Sequence, residues 1–137
     1  MNHKKIILVP MLILTCLSLN SCLLLLGAAA VGTGAGTVAY VDGKYTMNMN
    51  GDMKEVYKAA VKTVKNNDDL VISEQALSNK KGLIKGSTKI NDTSFTIEVE
   101  KITDNASKVS VRIGTFGDQE VSTNLMNEIQ KNTKKWK

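Results

Sequence analysis

Three rhythms of hydrophobic and polar positions divide the chain. From Ile6 to Leu19 the residues are uncharged and mostly aliphatic, with no periodicity. Beyond Lys44 two periodic patterns take over. Met53, Tyr57, Ala60 and Val64, with Val56 beside them, lie at helical spacing, while Lys54, Lys58, Lys62 and Lys65 fall largely on the opposite side. Asp52-Met53-Lys54-Glu55 has the form of a capping box, with Asp52 as cap and Glu55 reaching back. The polar run Asn66-Asn67-Asp68-Asp69 ends this helix.

The other pattern has period two. Tyr45, Met47 and Met49 alternate with polar residues, as in a short strand or an extended lead-in. Leu70 to Leu77 and Gly82 to Ile90 read as strands joined by the polar turn Ser78 to Lys81. Phe95 to Glu100 and Lys108 to Ile113 alternate cleanly. Pairing Val99 with Val109 sets Ile97 opposite Val111 and Phe95 opposite Ile113, and puts Glu100 against Lys108 on the other face. A slip of one residue would bury Glu98 and Glu100, so this register is well specified. After Gly114-Thr115-Phe116-Gly117, Asp118 is expected to cap a last helix that buries Val121, Leu125, Met126 and Ile129. The expected fold class is α+β. It is a two-layer sandwich, an antiparallel sheet of three or four strands with two helices on one face, in the order (β)-α-β-β-β-β-α and spanning residues 44–137.

The aperiodic N-terminal stretch carries a different message. Lys4 and Lys5 form a positive n-region, Ile6 to Leu19 an apolar h-region, and Leu19-Asn20-Ser21-Cys22 a lipobox. The expected chemistry is thioether lipidation of Cys22, cleavage before it and acylation of the new amine, which makes residues 1–21 a signal peptide. Two or three acyl chains, at about 0.8 kcal/mol per buried methylene, would make the attachment effectively permanent. An uncleaved membrane helix is the competing reading, because Ile6 to Val41 is uncharged throughout and long enough to span a bilayer. Cys16 follows Thr15 and leaves a shorter h-region, so it is expected to depart with the leader. Leu23 follows Cys22 where aspartate would signal inner-membrane retention, so the expected location is the bacterial cell envelope, lipid-anchored at the outer membrane and facing the periplasm.

Residues 22–43 hold the lipidated cysteine and a Gly/Ala-rich stretch. This stretch is read as a flexible tether, as a lipid-associated helix with Ala28, Gly32 and Gly36 on one face, or, at Val38 to Val41, as the start of the first strand.

Composition removes most catalytic mechanisms. The only histidine is His3, in the leader, and the two cysteines are Cys16 and Cys22. The mature chain therefore has no imidazole and no free thiol, and so no disulfide, no zinc site and no nucleophile–histidine arrangement. No cofactor or metal is expected. The formal charge is +5, and loss of Lys4 and Lys5 with the leader leaves a mild excess of base. Basic and acidic residues interleave, so nucleic acid is not an expected partner. Lys131, Lys134, Lys135 and Lys137 around Trp136 read as cations at a helix C-terminus, with a weak anionic-lipid contact as the alternative.

The stretch Val111-Arg112-Ile113-Gly114-Thr115-Phe116-Gly117-Asp118, followed by Ser122 and an amphipathic helix, resembles a family of small proteobacterial lipoproteins of the domain-of-unknown-function kind. That family pairs a lipobox and a Gly/Ala-rich segment with a Val-Tyr-x-Ala helix, here Val56-Tyr57-Lys58-Ala59. The resemblance implies the fold and an envelope location, and no activity or catalytic residue.

From the residues alone the junction reads as architecture. Gly114 and Gly117 permit the sharp change of direction, Phe116 folds back as a plug over the core edge, and Arg112 pairs with a nearby carboxylate. A weaker alternative makes it a small binding corner, with Arg112 as clamp, Asp118 beside it and Ser122 as a second donor.

The expected function is a membrane-anchored envelope lipoprotein acting as a non-enzymatic structural or interaction module. Its partners would be the membrane, through Cys22, and an envelope protein added along a strand edge or the sheet face carrying Thr96, Glu98, Ser110 and Arg112. The alternative is a module that binds a small ligand or an anionic envelope polymer. An enzyme working through Glu98 and Glu100 alone is the least favoured reading. The sequence leaves the oligomeric state open.

Overall fold

The computed structural model describes residues 38–134, so the leader, Cys16, Cys22, the tether-or-helix question for 23–37 and Trp136 lie outside the described residues. Asp52 caps helix α1 (Met53–Lys65), its carboxylate accepting from the Lys54 N–H at 3.1 Å. The helix ends at Asn66, and its buried residues are Met53, Val56, Tyr57, Ala59, Ala60, Thr63 and Val64. Thr63 is tolerated there because its hydroxyl donates to the Ala59 carbonyl one turn back.

Six strands build one antiparallel sheet: β1 (Val38–Val41), β2 (Lys44–Asn50), β3 (Leu70–Leu77), β4 (Lys81–Thr88), β5 (Ser94–Thr103) and β6 (Ala106–Ile113). Their spatial order is β1-β2-β6-β5-β4-β3. The expected sheet of three or four strands is thereby corrected to six, although the α+β class stands. The added strands are local hairpin partners joined by a distant pairing. Tyr45, Met47 and Met49 of β2 pair with Val111, Val109 and Ser107 of β6, and β1 pairs back on β2 with Val38 opposite Met47. Val38 to Val41, the end of the Gly/Ala-rich stretch, thus belongs to the sheet.

The β5–β6 register matches the alternation. Val99 faces Val109, Ile97 faces Val111 and Phe95 faces Ile113, while Glu100 and Lys108 form an ion pair on the other face. Helix α2 (Gln119–Lys134) begins after Asp118, whose carboxylate accepts from the Val121 N–H at 3.0 Å. Its buried stripe is Ser122, Leu125, Met126, Ile129 and Thr133. Val121, expected in that stripe, is 44 % exposed. One residue corresponds to about 100° of helix rotation, and Ser122 holds the inward phase instead.

Helix α1 packs on β3, β4 and β5, α2 packs on β2 and β6, and the two helices pack on each other. The core lies between this layer and the sheet and includes Ile84, Ile97, Val99, Val109, Val111, Met126 and Ile129, all fully buried. Burying such side chains contributes about 1.5–3 kcal/mol each before chain entropy is counted. Close approach of α1 depends on Gly82, where an added methyl carbon would lie 2.3 Å from the Tyr57 ring.

Candidate functional site

The helix-free face of the sheet is a ladder of charges. Glu98 binds Lys44 at 3.4 Å and Lys81 at 3.2 Å, Glu100 binds Lys81 at 3.6 Å and also Lys108, and Lys85 binds Glu74 at 3.0 Å. The hydrogen bond from Lys108 holds the Glu100 carboxyl below the usual carboxylate range, assisted by charge from Lys108 and Lys81. Glu98 and Glu100 are thus each committed to two lysines, an arrangement that fixes the strands.

Arg112 sits on this same face beside Lys44, Thr96, Glu98 and Ser110. Its guanidinium donates to the Thr115 carbonyl and not to a carboxylate as expected. Ser122 lies on the opposite side of the sheet, fully buried under α2. Asp118 is occupied as the cap of α2. The structure therefore does not bring Arg112 and Ser122 together. The Ser122 hydroxyl is a buried oxygen without a hydrogen-bond partner among the described residues.

The junction that carries these residues has a different use. Gly114 and Gly117 both adopt positive φ, at 74° and 79°. Four hydrogen bonds pin the loop: Gly114 N–H to Ser94 O at 2.7 Å, Asp118 N–H to Ile113 O at 2.9 Å, Tyr40 Oη to Gly117 O at 3.0 Å, and the Arg112 bond to Thr115. The backbone of Gly117 also lies directly on that of Gly43 in the β1–β2 turn, where a methyl group would fall 2.2 Å from the Gly43 carbonyl oxygen. Phe116 does not plug the core. It is 92 % exposed, because the Gly43 backbone already fills the inward side and the ring is turned to solvent.

Phe116 stands at one end of a trough. A recess of about 650 Å³ is lined by this loop, by Ile90, Asn91 and Thr93 of the β4–β5 connection, and by Gln119 and Val121 of α2. A second recess of about 670 Å³ runs on between the end of α1 and the outer side of α2. The two share Asp69, Thr88, Ile113 and Val121 and so adjoin as the two parts of the trough. Leu70, Ile113 and Leu125 contribute apolar lining, and the rest is mostly amide, hydroxyl and carboxylate. One amide is held in place: Asn132 donates to the Thr63 hydroxyl at 2.7 Å, and Thr63 donates in turn to Ala59 at 2.8 Å.

The sequence pattern read Asn66 to Asp69 as the end of α1 and gave Asn124, Glu128 and Asn132 no role. A signal was present nonetheless. Asn124, Glu128 and Asn132 recur every four residues and so stack in one row on α2, facing the Asn66 to Asp69 run.

Fold and site together define a small α+β domain with a six-stranded antiparallel sheet, two helices on one face and a trough of mixed polar and apolar lining beside them. The chain belongs to the family described as protein of unknown function DUF3568, whose model matches residues 5–132. No curated protein matches it.

Proposed function

We propose that this chain is a lipid-anchored, non-enzymatic binding module of a bacterial cell envelope, tethered through Cys22. The anchor is supported by the Lys4–Cys22 leader pattern and by a family match that covers leader and domain together. Leu23 after Cys22 favours the outer membrane, facing the periplasm.

The observation that carries the binding reading is Phe116. Exposed aromatic rings on mobile tips are common, but here a loop pinned by four hydrogen bonds holds a ring in water beside exposed Ile90 and Val121. An apolar group kept solvated on a loop whose backbone is already ordered costs less entropy when a partner covers it.

Two measurements on the full chain in cells test this. Mass spectrometry should find an acylated Cys22 as the mature N-terminus, and Cys22→Ser should leave the leader attached. A photo-crosslinking residue at position 116 should give a discrete adduct, and one at exposed Lys58 on α1 should not. A soluble unprocessed wild-type chain would remove the anchor, and equal or absent adducts at the two positions would remove the binding role.

A further inference from the structure

From the chemistry of the trough we infer that its ligand is an uncharged glycan chain, with N-acetylated hexosamines as the best-matched unit. This rests on the reading of the domain as a binding module and names what it binds.

The first observation is charge. The full sequence carries +5 and keeps a mild excess of base without the leader, yet among the described residues no lysine or arginine lines either recess of the trough. An anionic polymer would lie against Asp68, Asp69 and Asp118 with no cation among the described lining residues to meet it. The acidic character is itself muted. Lys131 pairs with Glu128 at 2.9 Å, and Asp118 is used as the helix cap. What remains is apolar surface set with neutral donors and acceptors.

The second observation is the kind of polar group. Side-chain amides come from three separate segments: the α1 end (Asn66, Asn67), the β4–β5 connection (Asn91) and α2 (Asn124, Asn132). An amide presents two donors and an acceptor. It matches a sugar hydroxyl, which both gives and accepts, and it matches the acetamido group of an N-acetyl sugar directly. The Thr88 hydroxyl accepts from the Thr93 N–H at 3.0 Å and keeps its own proton to donate. The Asn132–Thr63–Ala59 relay fixes one of these amides before any ligand arrives, which lowers the ordering cost of binding.

The third observation is Phe116. The axial C–H groups of a pyranose ring are weakly positive and suit the negative face of an aromatic ring. An exposed phenyl on a pinned loop, in the lining of a recess that also holds Asn91 and Gln119, supplies that platform. The two adjoining recesses are open to solvent, an arrangement that suits successive residues of a chain more than a compact metabolite.

Titration calorimetry on the full-length protein in detergent micelles tests the inference, with an N-acetylglucosamine hexasaccharide as one probe and a lysine decapeptide as the other. The hexasaccharide should bind saturably and with the same affinity at low and high salt, because an uncharged ligand makes no ionic contact to screen. Phe116→Ala and Asn124→Ala should each weaken it by about tenfold, the loss of one good contact. Lys58→Ala should leave it unchanged, and far-UV circular dichroism should show all three variants folded.

Absence of hexasaccharide binding, or binding untouched by both trough variants, overturns the inference. Salt-sensitive binding of the peptide alone assigns the trough to a basic polypeptide, which overturns the glycan and leaves the binding module intact. Crosslinking at position 116 that persists without binding of either probe has the same effect. Failure of both probes together with no adduct at position 116 ends both readings.

Discussion

Ile97, Val99, Val109 and Val111 are fully buried on the helix-covered face of the sheet, while Glu98, Glu100, Ser110 and Lys108 alternate with them on the open face of the same two strands. The two faces share one backbone and one register but contribute differently. The inner face removes apolar surface from water, which dominates the free energy of folding. The outer face adds exposed ion pairs, whose usual value is about 0–1 kcal/mol each. What it adds beyond that is selectivity, since only one register buries the valines and also sets Lys81, Glu100 and Lys108 side by side.

The largest expected effect comes from breaking the inner face. Ile97→Ala should lower unfolding stability by about 2–5 kcal/mol, read as a fall in the urea midpoint. Next, Gly82→Ala should cost about 1–3 kcal/mol by pressing a methyl group into the Tyr57 ring. Much of that cost should vanish when the second change Tyr57→Ala is present, and a double-mutant cycle measures the coupling. A cost that is the same in both backgrounds would show that the ring is not what limits the site.

Ser122→Ala should move the other way. The hydroxyl is buried without a partner, so its removal should raise stability by about 1 kcal/mol. A thermal melt that shows a loss instead would reveal a hidden bond.

Smaller effects belong to the outer face. Glu100→Gln should cost less than about 1 kcal/mol, and the loss should shrink in high salt. The same pair sets a pH dependence. Because Lys108 first, and then Lys81, lower the Glu100 carboxyl in the folded state, the unfolded chain takes up the proton more readily. The contribution is complete above the unfolded carboxylate value of about 4.3 and is lost as pH falls through the lower folded value. Acid titrations of urea midpoints for wild type and Glu100→Gln should therefore converge at low pH. Phe116→Ala should change stability least of all, because the ring it removes is almost wholly in solvent.

Parts of this comparison were legible in the sequence. The β5–β6 pairing and the α1 stripe follow from alternation and helical spacing, because each uses residues close together in the chain and has one arrangement that keeps charge out of the core. Strands β1 and β2 were harder to count. Tyr45, Met47 and Met49 show the right alternation, but their partners are Val111, Val109 and Ser107, and no local rhythm points across that distance. Val121 and Phe116 were misplaced for a related reason. Each is apolar and next to the core in sequence, and each was turned outward by something the pattern does not hold: the phase of α2 and the Gly43–Gly117 backbone contact. The trough lay beyond reach because it forms where three separate segments meet.

The neighbour order β1-β2-β6-β5-β4-β3 also dictates when the domain can exist. Strands β3 to β6 follow one another as a simple meander and can pair as they are made. The hairpin of β1 and β2 is synthesised first, yet it must wait for β6 to supply its neighbour. Until residues 106–113 have emerged, its row of methionine and tyrosine side chains has no seat in the sheet. Closure is thus a late, non-local event, and a nascent chain stopped after β5 holds two fragments in place of one body.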